Sequence, residues 1–235
     1  RQHLLLCGQF RNPKWRDVLA QAAARLMPSV GYHVVDGGDP AERKATLSAA
    51  DIFVFPIDNV QETFGLAPVE AMAAGLPVIA SDWDGLKQTV SADTGFRIPT
   101  EMPGKGLTTY LSQRYLGGTD SYLQYVGQLA ALTRVDVNAL TRALVTLGND
   151  PDLRRRMGRA GQARARAHFD WQVVIPQMQA LWAEQSAMLA HARQKGGRAI
   201  APRNPAGLPV GPSPELMFKA YPTAPAPDIL AVSYT

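Results

Sequence analysis

The sequence predicts an α/β protein: a parallel sheet with helices on both faces, followed by a helical C-terminal extension. Three observations predict it. Through the first hundred residues, short apolar runs alternate with segments that repeat apolar residues at helical spacing. Those runs are continuously apolar and lack the in-out alternation of a half-solvated sheet, so both faces of each strand should be covered. After about residue 136 only helical patterns remain, up to a tail rich in Pro, Gly and Ala from Gly196.

The elements follow in order. "HLLLCG" (His3 to Gly8) reads as a buried strand, with Cys7 inside it. "WRDVLAQAAARLM" (Trp15 to Met27) carries apolar residues at helical spacing. "YHVVDGG" (Tyr32 to Gly38) is a strand ending in glycines. "PAERKATLSAA" (Pro40 to Ala50) has proline in the first turn and good helix formers behind it. "DIFVFP" (Asp51 to Pro56) is a third strand. "LAPVEAMAAG" has Pro68 near a helix start and Gly75 where a C-terminal cap belongs. "LPVIAS" (Leu76 to Ser81) is a fourth strand. Beyond "GFRIPT" (Gly95 to Thr100) the pattern changes to a turn-rich, aromatic-bearing insertion over about 101–135, with one helix expected near Tyr122 to Leu132. Helices resume at "DVNALTRALVTLGND", at Pro151, and in "WQVVIPQMQALWAEQSAMLAHARQ", where Pro176 is expected to bend the last one.

A chain of 235 residues with 46% hydrophobic content can bury one sizeable core in one or two domains. A single cysteine forms no internal disulfide and fits a reducing compartment. No run of about 18 apolar residues suggests a membrane span, and no secretory signal is present. The chain starts without Met directly at a strand, so a fragment lacking native chain at its front is expected. Much of the net charge of +4 sits in "LRRRMGRAGQARARAHFD" (Leu153 to Asp170). That segment reads as a solvated helix face, with attraction to a membrane surface or an anionic carrier lipid as the alternative. No aromatic platform or recognition motif accompanies the arginines, so nucleic acid is not expected. His33 and His168 each stand alone and read as packed or surface histidines.

The chemistry concentrates in "NVQETFGLAPVEAMAAGLPVIASDWDG" (Asn59 to Gly85). Glu62 falls in the loop after the third strand, at the carboxyl edge where ligands of such sheets bind. Gly65 and Leu66 open a helix whose unpaired amides and dipole favour an anion. Glu70 lies about one turn inside the helix, so its side chain can lean back toward the same opening. Two carboxylates beside a bare phosphate would repel it. They make sense if each accepts hydroxyl hydrogen bonds from polyols flanking a phosphate, a sugar on one side and a ribose on the other. The plainer readings are a helix-capping Glu62 and a solvated Glu70.

With "ADIFVFP" preceding it, this stretch resembles the C-terminal, donor-binding half of GT-B glycosyltransferases of the glycosyl transferases group 1 type, family 4. The resemblance covers Leu4 to Ser81 and resumes at "TGFRIP" and at "DPDLRRRMGRAGQARARAHFDWQVVIPQMQALW". It implies a Rossmann-like GT-B domain over 1–195, a tail or linker over 196–235, and an absent N-terminal acceptor half. It implies that Glu62 contacts the transferred sugar, Glu70 the ribose, and the Gly65 and Leu66 amides the diphosphate, with Phe64 between them in the donor site. The family also carries an arginine and a lysine in the loop after the first strand, here "CGQFRNPKWRD". Lys14 matches the lysine. Gln9 stands at the arginine position and cannot compensate charge; Arg11 lies in the same loop as a substitute. The "DWDG" turn holds a D-x-D, Asp82 and Asp84, of a kind that holds a divalent metal in another glycosyltransferase fold. In the resembled family this loop carries Gly-Gly and uses no metal; Asp84 replaces one glycine and Gly85 is retained.

The resemblance thus implies metal-independent, retaining transfer of a sugar from a nucleotide-diphosphate sugar to an acceptor hydroxyl. Catalytic roles fall to Glu62 and Lys14, and donor binding to Glu70, Gly65, Leu66, Phe64, Gln9 and Arg11. No cofactor is implied. The partners are the nucleotide-sugar donor, a carbohydrate, lipid-linked or other hydroxyl acceptor, and a peripheral membrane contact. The implied location is cytoplasmic, including the inner membrane face. Two other classes remain: a non-catalytic nucleotide-sugar-binding module and a sugar-nucleotide epimerase of the same fold. No G-x-G-x-x-G follows the first strand, which disfavours a nicotinamide-dependent dehydrogenase.

Overall fold

A computed structural model describes residues 2–10, 12–194, 218 and 220–225. The chain forms two compact units, residues 1–53 and 54–235. In the first, β1 (His3–Gly8), α1 (Pro13–Leu26), β2 (Gly31–Asp36) and α2 (Pro40–Ala49) follow one another. The two strands are parallel, in register from His3 opposite Gly31 to Gly8 opposite Asp36. Both helices start as their sequences dictate. Asn12 and Asp39 sit in extended backbone and accept from the amides of Lys14 and Ala41, and a proline follows each cap.

Two expectations fail in this unit. Cys7 is exposed, not buried. Burial along β1 is uneven: Leu5 and Leu6 are half-buried, while Cys7, near the end of the strand, is exposed. His33 is not alone. His3 and His33 lie two positions apart in register, on the same side of the strand pair, and their rings stack with Nδ1 and Nε2 3.0 Å apart.

In the second unit β3 (Phe53–Phe55), α3 (Leu66–Ala73), β4 (Val78–Ser81), α4 (Leu86–Thr89) and β5 (Gly95–Ile98) lead into β6 (Thr100–Met102). The sheet order is β3-β4-β5, with β4 and β5 parallel. All four residues of β4 are buried, and Met72, Ile79, Trp83 and Leu86 are fully enclosed around it. At full burial, each such side chain contributes about 1.5–3 kcal/mol relative to exposure. α3 ends as its sequence predicts: Gly75 follows the last turn at φ +85°, a conformation costly for any residue with a Cβ.

The segment expected to carry one helix carries two, α5 (Thr109–Leu116) and α6 (Tyr122–Ala131), before β7 (Arg134–Val135). α6 begins with a reciprocal capping box between Ser121 and Gln124. α5 depends on tertiary contacts. Arg114 donates to both carboxylate oxygens of Asp120 at 2.7 and 2.6 Å, Gln128 donates to the same carboxylate, and Tyr115 stacks on Tyr125. The Arg114 hydrogen bond, above all, holds the Asp120 carboxyl below the usual carboxylate range.

α7 (Val137–Asn149), α8 (Pro151–His168) and α9 (Trp171–Gln194) complete the helical C-terminal part. Asp150 ends α7 and caps α8, accepting from the Leu153 amide at 2.8 Å. Glycines set the approach of α8 to α3. A Cβ on Gly158 would lie 2.0 Å from the Gly75 carbonyl oxygen, and one on Gly161 would meet Met72. The basic run is therefore partly structural. Arg164 donates to the carbonyls of Thr89 and Gln88, and Arg154 to those of Leu147 and Gly148, while Arg156, Arg159 and Arg166 face solvent. α9 is continuous through Pro176. Within the tail, β8 (Ala224–Pro225) pairs in parallel with β6, which pairs antiparallel with β7 on its other edge.

Candidate functional site

The candidate residues fall into two groups, one in each unit. In the first unit the register places the loops after β1 and β2 side by side: Gly37 lies so close to Gly8 that a Cβ on it would sit 2.9 Å from the Gly8 Cα. Gln9 Nε2 donates to Asp36 Oδ1 at 3.3 Å, and the same oxygen accepts from the Gly38 amide at 2.8 Å. At the position of the resembled arginine there is thus a neutral amide already engaged with a carboxylate. Lys14 is the second residue of α1; its amide is bonded to Asn12, and its side chain is exposed. Arg11 lies outside the described residues.

In the second unit the group is local. α3 starts at Gly65, whose φ of +77° and ψ of 76° turn the chain sharply into the helix, and no side chain caps it. Among the described residues, no backbone carbonyl outside the helix accepts from the amides of Gly65 or Leu66. Glu62 does not cap α3. Its Oε1 accepts from the Phe64 amide at 3.4 Å, and the carboxylate is half-buried in the loop. Glu70 is exposed one turn into α3. Phe64 is 43% exposed and meets Phe169 edge-on at 5.7 Å.

The turn after β4 fixes this loop from the other side. Gly85 abuts it with no room for a side chain, since a Cβ would lie 1.9 Å from the Thr63 carbonyl oxygen. Leu86 covers Gly65, and Thr89 Oγ1 donates to the Phe64 carbonyl at 3.1 Å. Arg164 then ties the end of α4 to α8. Thr89 and Arg164 are supports that no spacing in the sequence announces. Asp84, where the resembled loop has glycine, adopts φ +32°. Aspartate tolerates this region better than most residues, at a cost glycine would not incur. The two acids of the D-x-D do different things: Asp82 pairs with Arg97 at 3.3 Å and accepts from Thr223, while Asp84 faces Tyr221. Among the described residues no three His, Cys, Asp or Glu side chains converge on a metal-sized site.

These features are a helix start whose Gly65 and Leu66 amides have no backbone acceptor outside the helix among the described residues, with Glu62 in the loop before it and Glu70 one turn inside. Residues 1–105 match the family Glycosyl transferases group 1. The match spans the loops of both candidate groups, from Gln9 and Lys14 to Glu62 and Glu70. Among curated relatives, the chain is 30% identical over 189 residues to the MMP alpha-(1->4)-mannosyltransferase of Mycolicibacterium hassiacum, covering 74% of this chain and 38% of that protein. It is 28% identical to the GDP-mannose-dependent monoacylated alpha-(1-6)-phosphatidylinositol monomannoside mannosyltransferase of Corynebacterium glutamicum, over 55% of this chain and 26% of that one. Among solved structures, sucrose-phosphate synthase from Thermosynechococcus elongatus superposes with a TM-score of 0.51 at 27% identity, covering 79% of this chain and 39% of that one. The α/β fold with its helical C-terminal extension is therefore that of the GT-B glycosyltransferases. The chain spans well under half the length of these relatives.

Proposed function

We propose that the complete protein transfers a glycosyl unit from a nucleotide-diphosphate sugar to an acceptor hydroxyl, with retention of configuration and without a metal. One observation carries this reading: the uncapped amides of Gly65 and Leu66 at the start of α3, flanked by Glu62 and Glu70. Amides and dipole favour the diphosphate, and their preorganisation matters most as negative charge develops on the leaving group. Glu62 positions the sugar through its hydroxyls, and Glu70 takes the ribose. The family resemblance assigns Lys14 to the departing diphosphate, where an ammonium neutralises charge. The engagement of Asp82 with Arg97 and Thr223 supports a structural role for the D-x-D. The GDP-mannose dependence named for one relative supports a nucleotide-sugar donor, and the phosphatidylinositol mannoside in that name supports a lipid-linked acceptor for this family. No helix among the described residues is long and apolar enough to cross a membrane. We place the protein in the cytoplasm, with peripheral contact at the inner membrane face.

A non-catalytic donor-binding module is the second reading, favoured by Gln9, whose neutral amide is bonded to Asp36. A transfer assay on the complete protein with GDP-mannose and UDP-glucose separates the two. Glycosylated acceptor with retained configuration, and faster turnover in Gln9→Arg, is the expected result. Donor binding with neither transfer nor hydrolysis would favour the module, and an epimerised free donor would favour an epimerase.

A further inference from the structure

The tail contributes more than a strand pair. Tyr221 packs its ring edge-on against the fully buried Trp83 at 5.7 Å and against Phe218 at 5.2 Å. Its carbonyl accepts from the Asp84 amide at 3.1 Å. Lys87 Nζ donates to the carbonyls of Ala220 and Pro222 at 3.1 and 2.8 Å. Thr223 donates to the Asp82 carboxylate, and it exchanges backbone and hydroxyl bonds with Thr100 at 3.3 Å. Burial, then the Asp84 charge and hydrogen bond, push the Tyr221 hydroxyl above its usual range. Apart from the Tyr221–Phe218 contact within the tail, these contacts fall on residues 82–87 or on Thr100 beside them.

The same turn is the support of the anion loop: Gly85 abuts Thr63, Leu86 covers Gly65, and Thr89 holds the Phe64 carbonyl. We propose that residues 220–225 act as a strap that holds the 82–87 turn against the Thr63–Leu66 loop, with Tyr221 and Thr223 as positioning residues for donor binding. Among the described residues, the strap's hydrogen bonds and ring contacts fall on the turn and on Thr100, and that turn abuts the loop. Asp84 is the pivotal link: its left-handed backbone is kept in place by the Tyr221 carbonyl on its amide. The donor part of this proposal rests on the reading of Glu62, Gly65, Leu66 and Glu70 given above.

The test is amide hydrogen exchange on the full chain, with Thr223→Val, Lys87→Met and the conservative Thr223→Ser, paired with binding of GDP-mannose and UDP-glucose to the complete protein. Thr223→Val and Lys87→Met should speed exchange in peptides covering 62–67 and 82–87 while α7 is unaffected. Donor affinity should fall about tenfold, the order of one net hydrogen bond, and Thr223→Ser should restore both. Unchanged exchange at 62–67 would overturn the strap, as would acceleration spread equally over α7, which marks plain destabilisation. Faster exchange with unaltered donor affinity would overturn its role in binding. If the unsubstituted protein binds neither donor while exchange at 62–67 still responds, the donor reading fails and the strap stands.

Discussion

Glu62→Ala should slow glycosyl transfer by about 100-fold or more, the cost of losing a group that positions reacting atoms, while leaving thermal stability nearly unchanged. The asymmetry follows from the structure. Among the described residues the carboxylate makes one long local bond, to the Phe64 amide at 3.4 Å, and it does not cap α3. Removing it exposes no buried partner, so folding loses little. On the proposed reading, its value lies in what it presents to the sugar. Glu62→Gln keeps an acceptor and loses the charge, and should fall between the parent and Glu62→Ala. Transfer assays beside melting curves decide the point. A drop in melting temperature with unaltered transfer would return Glu62 to a structural role.

Gly85→Ala should act in the opposite manner, destabilising the fold by about 1–3 kcal/mol. At φ −61° and ψ −23° the backbone suits alanine, so conformational strain contributes nothing. The cost is steric. The added methyl would lie 1.9 Å from the Thr63 carbonyl oxygen and 3.1 Å from the Phe64 Cα, both backbone atoms, so the loop itself must move. Because that loop leads to the Gly65 and Leu66 amides, donor affinity should fall as well. Gly148→Ala in α7 is the control. Its Cβ would meet nothing within 4 Å, and helix propensity should stabilise that variant by about 0.5–1 kcal/mol. Chemical denaturation of the two variants, side by side, measures the contrast. Equal effects would mean that the turn and the loop are not in the contact described.

What could be read from the sequence is what local chemistry determines. The β4 strand declared itself by an unbroken apolar run and is buried at all four positions. Pro40 and Pro151 mark helix starts, and Gly75 marks an end, while α1 begins two residues before the expected Trp15, at Pro13. The start of α3 at Gly65 and Leu66 was legible too, because Gly65 and Pro68 sit at fixed offsets along one element. What escaped depends on distant partners. α5 is eight residues, too short to stand on propensity, and is fixed by Asp120 and Tyr125 beyond its end. Cys7 sits in a run that reads as buried, yet it is exposed while Leu5 and Leu6 before it are half-buried. The bond from Gln9 to Asp36 joins the loop after β1 to the end of β2, and the contacts of Tyr221 and Thr223 cross more than a hundred residues. No periodicity encodes such pairings.

The central claim is that the loop from Glu62 to Glu70 holds a nucleotide-diphosphate sugar. Calorimetric titration of the complete protein with GDP-mannose and UDP-glucose, repeated with Glu70→Ala, tests it most directly. Saturable binding of one of these donors, weakened at least about tenfold by loss of the ribose contact in a variant that melts like the parent, is the predicted result. Folded protein indifferent to both donors, or binding that Glu70→Ala leaves untouched, would contradict it.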